Sequence, residues 1–257
     1  MRSSILALLL ATSLLLTGCA TTSSPNQVET QSTEVVDKNT NIDPFEKMNR
    51  AVYGFNVALD NAILKPVAKG YKKVLPRPVR AGVANFFSNL LEPATTVNDL
   101  LQGKPKQAAK SLGRFLVNST VGILGIFDVA TSMNLPKHKE DFGQTFAVWG
   151  IESGPYIMLP FLGPSNVRDF GGTIARYALA DVTTVLDLDA NLATGLTTLR
   201  LIDQRAGLLG FDETFDLQVD PYAFIRESYA QARLKAIHDG VLPETEEDEF
   251  EEDLFDD

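Results

Sequence analysis

The chain has 257 residues, 44% of them hydrophobic, and a formal net charge of −10. That hydrophobic share excludes a disordered polymer and supports one domain with its own core. Ten of the 33 acidic residues and no basic one fall in residues 244–257, which leaves 23 acids to balance 23 bases elsewhere. Nucleic acid is thereby excluded as a partner, because no basic stripe exists to displace counterions.

In chain order, Arg2 and the apolar run 5–16 lead to Leu16-Thr17-Gly18-Cys19. A charged start, a short apolar stretch and small residues at the cut describe a secretory signal over residues 1–18. The run is too short to span a bilayer as a mature helix. The four residues look like a bacterial lipobox, in which Cys19 is acylated and becomes the first mature residue. Cys19 is the only cysteine of the chain, and a lipidated thiol needs no disulfide partner. Each buried CH₂ of an acyl chain adds about 0.8 kcal/mol of membrane affinity. Ala20 follows, where an aspartate would favour inner-membrane retention. Residues 19–42 are rich in Ser, Thr, Asn and Gln and read as an acylated flexible tether, reaching roughly 25–30 Å on average.

The folded domain is expected over residues 43–240. Asp43-Pro44 with Glu46 reads as an N-cap, a first-turn proline and a capping-box partner. Phe45, Met48, Val52, Phe55 and Leu59 then share one helix face, to about Asn61. Gly54 inside this helix has two readings: it admits a crossing helix, or it lets the helix bend. A short basic helix over 63–73 is broken by Pro76 and Pro78. Residues 79–91 form another amphipathic helix. Pro93 opens a further one, which Gly103 closes, and Pro105 starts the next, carrying Ala108, Leu112, Phe115 and Leu116.

Residues 121–127 are apolar on all sides and hold two glycines. They form either a buried junction between helices or a surface that faces lipid. Residues 142–149 make a short element. Residues 155–164 hold three prolines, which bar a regular helix or a central strand, yet the side chains between them are large and apolar. Core covers this loop, or it meets a membrane through Ile157, Leu159 and Phe161. Residues 167–180 and 181–209 read as helices, the second being a single helix or a hairpin broken near Gly195. Asp220-Pro221 repeats the Asp-Pro start, and Gly240 ends the last helix. Residues 241–257 form an acidic tail, solubilising rather than cation-binding. No convincing alternating strand emerges, so the fold is all-α.

Chemistry is sparse. His138 and His238 are isolated and expected at the surface, and no metal-ligand spacing or nucleophile elbow occurs. Glu140-Asp141 and Asp187/Asp189 are expected as solvated faces or caps rather than acid/base pairs. No catalytic residue, metal site or cofactor is expected, apart from the acyl chains on Cys19.

Specific words nevertheless recur. They are Asp43-Pro44-Phe45-Glu46-Lys47-Met48-Asn49-Arg50, Asn98-Asp99-Leu100-Leu101-Gln102-Gly103 and Arg114-Phe115-Leu116-Val117-Asn118-Ser119-Thr120-Val121-Gly122. Others are Asp141-Phe142-Gly143-Gln144-Thr145, Leu159-Pro160-Phe161, Gly163-Pro164-Ser165 and Asp220-Pro221-Tyr222. Through these the chain resembles the MlaA (VacJ) family of outer-membrane lipoproteins, across about residues 43–230. The resemblance implies a single ring-like bundle of amphipathic helices embedded in one membrane leaflet. It implies a channel that removes misplaced phospholipids from the outer leaflet of the outer membrane. Implied partners are phospholipids, a trimeric porin and a periplasmic lipid-carrier protein. The implied location is the periplasmic face of the outer membrane. A channel of this kind needs a restriction, and Gly54 and Phe55 are the candidates for it. The alternatives are an anchored structural scaffold that moves no lipid and a phospholipase, the latter disfavoured by the missing nucleophile motif.

Overall fold

The computed structural model describes residues 43–179 and 188–241. Its helices are α1 (Glu46–Leu59), α2 (Lys65–Val74), α3 (Arg77–Leu101), α4 (Pro105–Thr120), α5 (Val129–Ser132) and α6 (Phe142–Val148). They continue as α7 (Val167–Leu179), α8 (Ala190–Leu208), α9 (Asp212–Asp216) and α10 (Pro221–Ile237). Strands β1 (Tyr156–Leu159) and β2 (Gly163–Asn166) pair antiparallel, with Tyr156 opposite Asn166 and Leu159 opposite Gly163. The signal segment, Cys19, the tether and the acidic tail lie outside the described residues, as does the start of the segment expected over 181–209.

Several expectations are corrected by local physics. The helices expected to 61 and over 63–73 are one continuous run, because the π-helical segment Asp60–Leu64 joins α1 to α2. Arg205 holds that segment by donating from Nε and Nη2 to Asp60 at 2.7 and 2.8 Å. Pro93 lies inside α3 rather than starting a helix. It deprives only the Asn89 carbonyl of its i→i−4 donor, and the α4 face packed along α3 keeps the helix whole. Gly103 does close α3: it sits at φ +74°, and Lys104 N–H donates back to the Asp99 carbonyl at 2.8 Å. The proline-rich loop is a hairpin. A two-stranded ribbon consists only of edges, so Pro164 costs it no central ladder bond.

The two Asp-Pro starts diverge. Asp220 caps α10, its carboxylate accepting from Ala223 N–H at 3.1 Å. Asp43 caps nothing. Its buried carboxylate accepts from Asn49 Nδ2 at 2.7 Å and from the Tyr222 hydroxyl, and α1 begins without a side-chain cap.

The interior is polar. Asn49, Asn98, Asp99, Ser111, Arg114 and Thr145 are all at most 1% exposed. The small apolar core consists of Tyr156, Met158 and Tyr222, with Val52, Tyr53, Ile225 and Tyr229 packed on it. The apolar stripes read from the sequence divide: Val52, Phe87, Ala108, Tyr222, Ile225 and Tyr229 turn inward, and others face outward. On α1, Met48 and Phe55 are exposed, as is Phe45 just before it, while Asn49 is buried. On α4, Leu112 and Leu116 are exposed while Ser111, Arg114 and Asn118 are buried. No helix among the described residues is long and apolar enough to cross a membrane.

Candidate functional site

Two apolar prominences project from this polar frame. The first is the turn at residues 121–127. Its backbone lies against α3 and α4, received by a side-chain amide of α3 and a main-chain carbonyl of α4. Asn85 Nδ2 donates to the Ile126 carbonyl at 3.2 Å, and the Asn118 carbonyl accepts from Gly125 N–H at 2.7 Å. Gly125 sits at φ +88°, and a Cβ there would stand 2.4 Å from Asn89 Cβ. Only glycine allows the backbone so close. With the backbone inward the side chains point out: Val121, Ile123, Leu124, Ile126 and Phe127 are 41–67% exposed. The buried-junction reading is therefore wrong, since helix-to-turn packing is made by backbone and amides.

Arg114 fixes this turn from beneath. Its guanidinium donates to Glu92 Oε1 at 3.0 Å, to both Asp128 oxygens at 3.1 Å, and to Thr131 Oγ1 at 3.1 Å. It also donates to the Leu135 carbonyl. Asp128 follows the turn directly and caps α5. Burial pushes the Asp128 carboxyl up, but hydrogen bonds from Thr131, Asn118 and Arg114 outweigh it and bring its pKa down to about 2. Glu92 is raised, because its burial outweighs the Arg114 contact. Beside the turn, Val79, Gly82, Phe86, Phe87, Ile126 and Phe127 line an apolar cavity of about 690 Å³.

The second prominence is the hairpin tip. Two asparagines of α1 act as surrogate strand. Asn49 donates to the Tyr156 carbonyl at 3.1 Å and accepts from Met158 N–H at 2.9 Å. Seven residues on, Asn56 donates to the Leu159 carbonyl and accepts from Phe161 N–H, both at 3.0 Å. A side-chain amide offers the same donor–acceptor pair as a backbone unit, so it satisfies the strand edge. Beyond Asn56 the tip is free: Phe161 is 65% exposed, and its ring meets exposed Phe55 edge-on at 5.5 Å between centroids.

The candidate residues thus separate. Phe55 and Phe161 meet, and Phe161 is the outward member of the loop. Ile157 and Leu159 are only half-buried, alternating with buried Tyr156 and Met158. Gly54 is exposed, and a Cβ added there would meet nothing within 4 Å. It does not admit a crossing helix. Sequence periodicity missed Asn49, Asn56 and Arg114, although the seven-residue spacing of the two asparagines was visible.

The expected surface position of His138 is also corrected. Its Nε2 lies 2.9 and 3.0 Å from the Asp99 oxygens and 3.4 Å from Ser111 Oγ. This is not a nucleophilic triad. One nitrogen meets both partners, and the fully buried Ser111 hydroxyl donates to Asp99 at 2.8 Å. Glu140 is buried and ion-paired to Lys104 rather than solvated. Asp141 and Asp189 are helix caps as expected, and His238 is exposed.

Phe161→Asp offers a direct check on the tip. In full-length protein also carrying Cys19→Ser, it should leave helical circular dichroism unchanged and reduce flotation with liposomes. Met158→Asp should instead unfold the domain, by burying an unpaired charge.

The described residues are helical apart from one hairpin, with a polar frame and many apolar side chains turned outward. The model of the MlaA lipoprotein family matches residues 41–236, and the chain belongs to that family. It is 41% identical over 193 residues to a protein of Rickettsia felis, covering 74% of this chain and 76% of the relative. It is 37% identical over 235 residues to the Shigella flexneri intermembrane phospholipid transport system lipoprotein MlaA, covering 90% and 87%. A structure solved for the maintenance of bacterial outer membrane lipid asymmetry superposes with TM-score 0.67 at 36% identity, covering 74% of this chain and 96% of that one.

Proposed function

We propose that this protein is an outer-membrane lipoprotein of intermembrane phospholipid transport. It takes misplaced phospholipids out of the outer leaflet through a channel and hands them to a periplasmic carrier, so preserving lipid asymmetry. The observation that carries this reading is the inverted burial. Arg114, Asn49 and Asp99 are inside, while Ile123, Leu124 and Phe161 are outside. Such a surface is unfavourable in water, where each exposed apolar Å² forgoes about 25 cal/mol. It is favourable half-sunk in one leaflet, which needs no spanning helix. The protein acts without hydrolysis, beside a trimeric porin, and the acyl chains on Cys19 hold it at the periplasmic face.

The test is a strain lacking the protein, in which phospholipid should accumulate in the outer leaflet and detergent sensitivity should rise. An unchanged outer leaflet in that strain would falsify the transport reading. Complementation with Cys19→Ser should fail, because an unacylated precursor does not reach the outer membrane. Full activity of Cys19→Ser at native expression would refute the anchor.

A further inference from the structure

From Lys65 to Arg80 the chain holds six basic residues and no acid, within a total of 23 bases and 33 acids. This stretch is α2 and its exit into α3. The helix has an inner and an outer face. Leu64, Ala68, Tyr71 and Leu75 recur at spacings of four and three; Ala68 is buried and the other three are half-buried. That face packs against α8, where the Tyr71 hydroxyl donates to Asp203 at 2.8 Å. The outer face starts with Ile63 in the π-helical segment and continues through Val67 and Val74. These three are 44–76% exposed. Lys69, Lys72 and Lys73 are exposed on the same helix, and Arg77 is exposed just after it.

The six bases are not equally engaged. Lys65 pairs with Asp212 at 3.0 Å, and Arg80 donates from Nε to the Leu75 carbonyl at 3.1 Å. Lys69, Lys72, Lys73 and Arg77 have no acidic partner among the described residues. No acid occurs in the chain between Asp60 and Glu92. The acids that do reach this region are engaged: Asp60 by Arg205, Asp203 by Tyr71 and Asp212 by Lys65 and Arg205.

Four free cations beside exposed apolar side chains suit a helix that lies in a charged lipid interface. The apolar side chains fit the boundary between headgroups and acyl chains. The lysine stems run along that boundary while their ammonium groups reach the phosphates. We infer that α2 docks the protein on an anionic phospholipid surface through Lys69, Lys72, Lys73 and Arg77. The inference rests on the transport reading, which puts the protein at a leaflet, and adds the headgroup charge that this contact selects. The chain as a whole, at a net −10, is repelled by an anionic surface. A preference for such a surface over a neutral one therefore requires a local basic patch.

The experiment floats the full-length protein carrying Cys19→Ser with two kinds of vesicle: phosphatidylcholine alone, and phosphatidylcholine mixed with phosphatidylglycerol. Binding to the anionic vesicles should exceed binding to the neutral ones and fall as salt rises, because salt screens exposed charges. Lys69→Gln, Lys72→Gln and Lys73→Gln together keep the helix propensity of α2, so helical circular dichroism should not change. Each lost charge should weaken binding to anionic vesicles about fivefold, and all three about a hundredfold, with binding to neutral vesicles unaffected. Phe161→Ser should lower binding to both kinds alike, because the hairpin tip contributes apolar area rather than charge. Equal binding to anionic vesicles by the protein with and without the three lysines overturns the lipid surface as the partner of α2 and leaves the transport reading standing. Preference for anionic vesicles that appears only after residues 244–257 are deleted also overturns it, by giving α2 to the chain's own acidic segment. A null strain with a normal outer leaflet overturns the transport reading itself.

Discussion

Replacing Arg114 by methionine should destabilise the domain by about 3–5 kcal/mol, the range for removing one partner of a buried ion pair. Arg114 is 1% exposed and holds Glu92, which is itself 3% exposed. The loss has two parts. Glu92 keeps its charge in a site with no counter-ion, and Asp128 and the Leu135 carbonyl lose donors that tie the apolar turn to α4. Denaturation midpoints in micelles measure the total. Glu92→Gln in the same chain should return a large part of it, since it removes the stranded charge. No recovery in the double variant would show that Arg114 acts through the Asp128 side alone.

The pH dependence should change with it. In the wild type, Asp128 ionises near 2, against an ordinary value of 3.8. Its depressed pKa stabilises the fold above about pH 4, by an amount on the order of 2 kcal/mol, and that stability is lost as the pH falls towards 2. Glu92 is raised and contributes with the opposite sign: its share is greatest in acid and fades as pH rises through its folded pKa. Without Arg114 the Asp128 depression shrinks and the Glu92 elevation grows. The variant should therefore gain more stability on mild acidification from pH 7 than the wild type does.

Much of the helical order was legible because proline and glycine act locally. Pro105 starts α4, Gly103 closes α3 and Asp220 caps α10, each through geometry within a few residues. What failed was long-range. Asp43 carries the same local signal as Asp220, but Tyr222 and Asn49 compete for its carboxylate and win it from the helix start. Pro93 reads as a break, yet the α3–α4 contact outweighs one missing hydrogen bond. The hairpin was invisible as a pair of strands because each is four residues long among prolines, and the outer edge of β1 is met by the amides of Asn49 and Asn56 rather than by a third strand. The apolar stripes carry a period but no direction: Met48 and Phe55 face out, whereas Val52, Tyr222 and Ala108 face in. Amphipathic periodicity says that one face differs from the other, and only the solvent decides which faces inward. On α1 the exposed apolar residues leave the positioning of the site to the polar ones between them, Asn49 and Asn56.

Deleting Gly54 and Phe55 should give a folded protein with a loosened hairpin tip and a dominant leak of phospholipid to the outer leaflet. The cut falls between the two asparagine clamps. Everything after it turns by about 200° around the helix axis. Asn49, before the cut, keeps Tyr156 and Met158; Asn56, after it, swings away from Leu159 and Phe161. Two hydrogen bonds at about 1 kcal/mol each are lost. The Phe55–Phe161 edge contact adds about 0.5–1.5 kcal/mol. The tip contacts total less than the ~5–15 kcal/mol of an ordinary domain, and the fold survives provided that the π-helical segment Asp60–Leu64 absorbs the rotation and keeps Asp60 on Arg205. If the tip restricts the channel, the released state conducts in both directions, and a wild-type copy in the same cell cannot close it. Asn56→Ala separates the causes, because it removes the same two bonds without rotating the helix, and it should produce a weaker leak of the same dominant kind. The measurements are outer-leaflet phospholipid and detergent sensitivity, with each variant expressed beside the wild type. A recessive phenotype with degraded protein would reject the restriction and leave Gly54 and Phe55 as ordinary positions on the apolar face of α1.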